Sequence, residues 1–168
     1  MRLLYEDANY FKTTLFNSFD YKEIEIIQSI KNDFKENSQT YYELNKFLGS
    51  KSKILHFADD YGQLDVLLAL QESQRKIDCF IENEIKRSCA KTNHYLKKRD
   101  IRYFNNVNEI DINKYESIVI TSLHFNIEIN SFTGTIILFN NEVIQQSLIN
   151  SGFKIVNVNS KFMSLKKQ

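Results

Sequence analysis

From Lys53 onward the sequence alternates short apolar runs with stripes at helical spacing, and no other feature restricts the fold as much. Residues 53–58 read as a buried strand, and Leu64, Leu67, Leu68 and Leu70 as the apolar stripe of a helix. Residues 76–81 repeat the strand, 84–98 repeat the helix through Ile85, Cys89 and Leu96, and 101–104 and 117–121 are further short apolar runs. Strands alternating with helices pair in parallel, with the helices covering both faces of the sheet. The last third changes rhythm. Residues 135–139 read as a strand and 142–150 as a helix closed by Ser151 and Gly152, while 154–158 and 162–165 are strands spaced closely enough to pair antiparallel. The expected fold is α/β: a mostly parallel sheet with a C-terminal antiparallel strand pair.

Ahead of this unit, Ile24, Ile27, Ile30 and Phe34 recur at three- and four-residue intervals, with Glu23, Lys31 and Lys35 off the stripe, predicting an amphipathic helix over 22–35. A second helix is expected over 40–48, with Tyr41, Leu44, Phe47 and Leu48 inward and Gly49 ending it in a left-handed conformation. Residues 1–50 are read as an N-terminal helical extension and 51–168 as the α/β domain, in one structural unit without internal repeat. The aromatics Tyr5, Tyr10, Phe11, Phe16 and Phe19 precede the first helix and are expected either to cover a ligand edge or to dock a protein partner.

Composition narrows the function classes. Lys and Arg total 22 against 21 Asp and Glu, a net charge of +1, so no overall field recruits nucleic acid or an anionic membrane. A local basic run of Lys86, Arg87, Lys91, Lys97, Lys98, Arg99 and Arg102 is either a solvated helix face or a phosphate contact, and only Tyr95 and Tyr103 stand beside it as stacking aromatics. The solvated face is the expectation, and nucleic acid is not the expected partner. No apolar run approaches the ~20 residues that span a bilayer, and 1–12 lack the apolar stretch of a signal peptide, so a cytoplasmic protein is expected. Cys79 and Cys89 read as unpaired thiols, too few for a disulfide framework or a zinc site.

With only four glycines in 168 residues, Gly49, Gly62, Gly134 and Gly152 are each expected where a side chain would be strained. His56 lies inside an apolar strand and reads as a satisfied core histidine. Asp59 and Asp60 can share a proton or hold a metal, but helix capping is the preferred reading.

The run Ile54-Leu55-His56-Phe57-Ala58-Asp59-Asp60-Tyr61-Gly62-Gln63-Leu64, a strand followed by a glycine-bearing turn and a helix, resembles the first motif of the class I S-adenosylmethionine-dependent methyltransferases, a Rossmann-type family. In that motif a strand carries an acid and then a GxGxG turn. Here Ala58 and Asp60 stand for the first two glycines, Gly62 is the third, and His56 replaces the acid. The resemblance extends over about 53–166. Ile77-Asp78-Cys79-Phe80-Ile81-Glu82 places Glu82 where the family has the carboxylate on the ribose hydroxyls, and Ala90-Lys91-Thr92-Asn93 is similar to the Ala-Arg-x-Asn run that follows. Tyr115-Glu116-Ser117-Ile118-Val119-Ile120 and Leu123-His124-Phe125 resemble the fourth strand and its sequel, with Thr121-Ser122 where an Asp or Asn is usual; Ser151-Gly152-Phe153 resembles the turn into the last hairpin.

The resemblance implies a cofactor, S-adenosylmethionine, held by Ala58, Asp60, Gly62 and Glu82, with His124 as the one catalytic base in reach and no metal. Its departures at His56, Asp60 and Thr121 imply a module that has lost catalysis and serves binding or partner stabilisation. The alternative is an active methyltransferase acting on a small molecule or a lipid-linked aromatic acceptor. The segment Tyr21-Lys22-Glu23-Ile24-Glu25 further resembles methyltransferase-like segments of bacterial aryl-polyene or flexirubin-type pigment loci, which implies a lipid or acyl-chain enzyme of the acyltransferase type as neighbour.

Overall fold

The computed structural model describes residues 23–97 and 101–167. Its strands are β1 (Lys53–Ala58), β2 (Lys76–Ile81), β3 (Ile101–Phe104), β4 (Ser117–Ile120), β5 (Thr135–Phe139), β6 (Phe153–Val158) and β7 (Phe162–Lys167). They form one sheet in the order β3-β2-β1-β4-β5-β7-β6. The first five run parallel, and β7 is antiparallel to both β5 and β6, as the spacing of the last two runs predicts. Strand order reverses between β1 and β4, and such a reversal opens a crevice beyond the carboxyl ends of the strands.

Among the described residues four α-helices accompany the sheet: α1 (Glu23–Phe47), α2 (Gln63–Gln71), α3 (Glu84–Lys97) and α4 (Glu142–Asn150). Side chains alternate across each strand and so divide the core in two. One face carries Ile54, Ala58, Ile77, Cys79, Ile81, Val119 and Ile137 against α1, α2 and α3; the other carries Leu55, Phe57, Phe104, Ile118, Ile120 and Ile136 against Phe132, Ile144 and Leu148. Residues from Gln63 to Ala69 are buried without a break, because α1 adds a layer over the helix that would otherwise face water. In α3 the expected stripe is displaced: Ala90 is buried, whereas Ile85 is 72% exposed. No helix among the described residues is long and apolar enough to cross a membrane.

One continuous helix replaces the two expected over 22–35 and 40–48. The polar stretch between the two stripes contains neither Gly nor Pro, and side-chain bonds at i,i+4 hold it helical: Asn37 Nδ2 donates to Asp33 Oδ1 (2.8 Å) and Gln39 Nε2 to Glu43 Oε1 (3.2 Å). Nor does Gly49 end α1 in a left-handed conformation; the glycines with positive φ are Gly62 and Gly152. The carbonyls at the end of α1 are taken by a cation instead. The buried Arg75 guanidinium donates to Asn45 O (3.3 Å), Leu48 O (3.2 Å) and Gly49 O (3.3 Å), to Asn45 Oδ1 (2.7 Å), and across to Leu68 O of α2 (3.0 Å). A guanidinium at a helix carboxyl end also complements its dipole.

Arg75→Leu would leave these carbonyls buried without donors, at about 1–3 kcal/mol per unsatisfied group after partial relaxation. Urea unfolding is expected to show a loss of at least about 2 kcal/mol; an unchanged midpoint would contradict this role for Arg75.

Candidate functional site

A cleft of about 400 Å³ opens beyond the carboxyl ends of β1 and β2, lined by Phe57, Phe80, Glu82, Val107, His124 and Asn126. Phe57 meets Phe125 edge-on (4.9 Å between centroids) and Phe80 at 6.0 Å, giving the cleft an aromatic wall. Glu82 follows β2 directly and is exposed; His124 and Asn126 come from the loop after β4, whose turn is set by His124 N–H donating to Ser122 Oγ (3.1 Å). The structure thus brings together Glu82 and His124. An exposed carboxylate beside aromatic rings is a two-point acceptor for a diol attached to a flat ring.

Ala58, Asp60 and Gly62 are not among the residues lining this cleft. They lie in a loop that is bonded to itself. Asp60 Oδ1 accepts the Gly62 N–H (2.8 Å) and Gln63 Oε1 accepts the Tyr61 N–H (2.8 Å). Gln63 Nε2 in turn donates to Asp33 Oδ2 of α1 (3.0 Å), and the Tyr41 hydroxyl donates to the same carboxylate (2.7 and 2.8 Å to its two oxygens). Lys161, in the β6–β7 turn, donates to Glu36 O (2.7 Å) and Asn37 Oδ1 (3.0 Å), so α1 is fixed from the loop after β1 to the turn after β6. Burial pushes the Asp60 carboxyl up to about 7, with His56 pulling it down and Asp65 pushing it further up.

Neither aspartate caps α2, contrary to the expectation. Gly62 itself is the N-cap residue and no side chain bonds the first turn; Asp60 Oδ1 accepts the Gly62 N–H instead. Asp59 pairs with Lys86 at 2.8 Å. Three more cations of the basic run are also engaged: Arg87 donates to Ile81 O (2.8 Å), Lys91 to Asn105 Oδ1 (2.8 Å), and Arg102 lies over the Phe104 ring. Lys98 and Arg99, like Tyr5, Tyr10, Phe11, Phe16 and Phe19, lie outside the described residues.

His56 is a satisfied core histidine, as expected. It is 0% exposed, with Nδ1 2.7 Å from Asp65 Oδ1 and Nε2 2.8 Å from Thr121 Oγ1. Burial alone would lower its pKa; the charge and hydrogen bond of Asp65 outweigh that and raise it. Thr121 and His56, two departures from the family pattern, are therefore bonded to each other. Asp65 was missed by sequence reasoning, although a lone acid inside Leu64-Asp65-Val66-Leu67-Leu68 was a legible signal of a buried partner.

Gly62 has a structural reason to be glycine. Its φ is +81°, and a Cβ there would stand 2.8 Å from both Ala90 Cβ and Tyr103 Oη. Gly134 is likewise required by close approach, a Cβ meeting Glu116 O at 2.4 Å; at Gly49 the nearest atoms are 3.8 Å away, so the expected strain is absent there.

No family model and no curated protein matches the sequence. Solved structures do match. The Bacillus subtilis M1A22 tRNA methyltransferase TrmK aligns with TM-score 0.61 at 9% identity over 76% of this chain and 65% of that one. The Pyrococcus abyssi tRNA (uracil-54, C5)-methyltransferase, solved with S-adenosyl-L-homocysteine, aligns with TM-score 0.58 at 12% identity over 78% of this chain and 37% of its own. A TehB-like SAM-dependent methyltransferase from Corynebacterium glutamicum aligns with TM-score 0.56 at 11% identity over 84% and 97%. The chain therefore has a Rossmann-type α/β fold, similar to that of these methyltransferases. It spans less than two-thirds of the length of the first two structures. At these identities the likeness is one of fold, and it does not bear on the pigment-locus resemblance of 21–25.

Tested against S-adenosylmethionine, the two parts of the site disagree. The cleft presents Glu82 for a ribose diol and aromatic rings for a base. The loop does not fit the amino-acid end, because the N–H groups of Tyr61 and Gly62 that would meet its carboxylate are bonded to Gln63 and Asp60. The cofactor as a whole does not fit this arrangement.

Gly62→Ala is expected to destabilise the fold by at least about 2 kcal/mol, from left-handed strain and overpacking together. Gly49→Ala should stay within about 0.5 kcal/mol of the parent. Equal unfolding midpoints for the two variants would contradict the packing role of Gly62.

Proposed function

We propose that the chain is a catalytically silent methyltransferase-like domain that works as a binding or partner-stabilising module. The observation that carries this reading is the self-bonded loop: Asp60 and Gln63 occupy the backbone donors, and Gln63, Asp33 and Tyr41 lock α1 over them. Each lost hydrogen bond to a charged ligand group weakens binding by ~1.5–3 kcal/mol, and two such losses carry a micromolar ligand towards the millimolar range. The extension 1–50 would then serve as the partner-facing element, its N-terminal aromatics docking a protein such as a lipid or acyl-chain enzyme.

A second reading is favoured by one specific observation, the meeting of Glu82 and His124 in the cleft. In it the chain is an active methyltransferase on a small molecule or lipid-linked aromatic acceptor, with the loop rearranged, S-adenosylmethionine held by Ala58, Asp60, Gly62 and Glu82, and His124 as the base that takes the acceptor's proton.

Calorimetric titration of the purified chain with S-adenosylmethionine and S-adenosylhomocysteine separates the two, with Glu82→Ala as control. The silent reading expects no heat below about millimolar ligand. Binding at about ten micromolar that disappears in Glu82→Ala would overturn it in favour of the active enzyme.

A further inference from the structure

Three side chains of metal-ligating chemistry converge beneath the loop, outside the cleft. His56 of β1, Asp65 of α2 and Cys79 of β2 are fully buried, and one donor atom from each lies within 4.8 Å of the other two. His56 and Cys79 are register partners across β1 and β2, so both project from one face of the sheet towards α2. Asp65 is the sole charged residue in the buried run from Gln63 to Ala69, and its Oδ2 is buried without a hydrogen bond while Oδ1 serves His56. A carboxylate left half satisfied in an apolar core is costly and calls for a further partner.

We propose that His56, Asp65 and Cys79 form a structural zinc site that staples β1, α2 and β2. A thiolate, an imidazole and a carboxylate are the mixed donor set that Zn²⁺ accepts in tetrahedral sites. The charges balance: the dication meets one thiolate and one carboxylate, and the imidazole is neutral. Zn–S, Zn–N and Zn–O bonds form, while the thiol proton of Cys79 and the proton shared by His56 and Asp65 pass to solvent. All three ligands belong to one β-α-β unit, so the ion enters as that unit closes during folding. Without metal, the hydrogen-bonded His56–Asp65 pair and a protonated Cys79 thiol occupy the same space.

The test uses the full chain, stripped with chelator and refolded with zinc or cobalt. Elemental analysis is expected to give one zinc per chain. Cobalt is expected to give a thiolate-to-metal charge-transfer band that is lost in Cys79→Ser and kept in Cys89→Ser. Should Cys79→Ser fail to fold, the parent chain still decides, since zinc must raise its thermal midpoint. A folded parent that takes up no metal, a midpoint that zinc does not move, or a band that survives in a folded Cys79→Ser each overturns the site. S-adenosylmethionine plays no part in these readouts, so their failure leaves the proposed function standing.

Discussion

An imidazole sealed inside a parallel sheet needs a partner at each nitrogen, and the demand of His56 organises the ligand edge of this domain. Asp65 must face inward from α2 to meet Nδ1, and Thr121, directly after β4, must lie beside β1 to meet Nε2. With both in place, Thr121 and Ser122 N–H groups donate to Phe57 O (3.0 and 3.1 Å), drawing the start of the β4 loop against β1. The same loop then delivers His124 and Asn126 to the cleft. One buried polar chain thus sets the floor under the turn and the direction of the loop that borders it.

The loop above His56 is closed from the other side by α1. A helix of 25 residues ordinarily rests on a core through an apolar stripe; here it adds a polar seam, Asp33 and Tyr41 reaching Gln63. That seam occupies backbone donors which, in an open turn at a helix start, would be available to an anion. The cleft on the other face of the sheet stays open, so the edge is divided into an accessible part around Glu82 and a self-satisfied part around Gly62.

The sheet was legible because apolar runs bounded by polar turns mark strands whatever packs on them, and the bounds of β1, β2, β3 and β5 follow from sequence alone. Glu82 and His124 were legible for the same reason, since strand ends place residues at the ligand edge. What escaped depends on contacts between distant segments. The polar stretch in α1 reads as a break until its i,i+4 bonds are known, and the end of that helix is set by Arg75, thirty residues from Asn45. Gly62 reads as a cofactor residue in the linear motif, yet its conformation and the approach of Ala90 and Tyr103 explain it without any ligand. The aspartates after β1 read as caps because the partners that engage them, the Gly62 N–H for Asp60 and Lys86 for Asp59, are invisible in one dimension.

The central claim is that the loop's own side chains hold the donors a cofactor would need. Following the backbone amides of Tyr61 and Gly62 by nuclear magnetic resonance, while S-adenosylhomocysteine is added to millimolar concentration, tests it most directly. The account predicts that both amides stay protected from exchange and unmoved, with any shifts confined to residues near Glu82 and Val107. Saturable shifts of both amides would contradict it, because the loop would then be releasing Asp60 and Gln63 to receive the ligand.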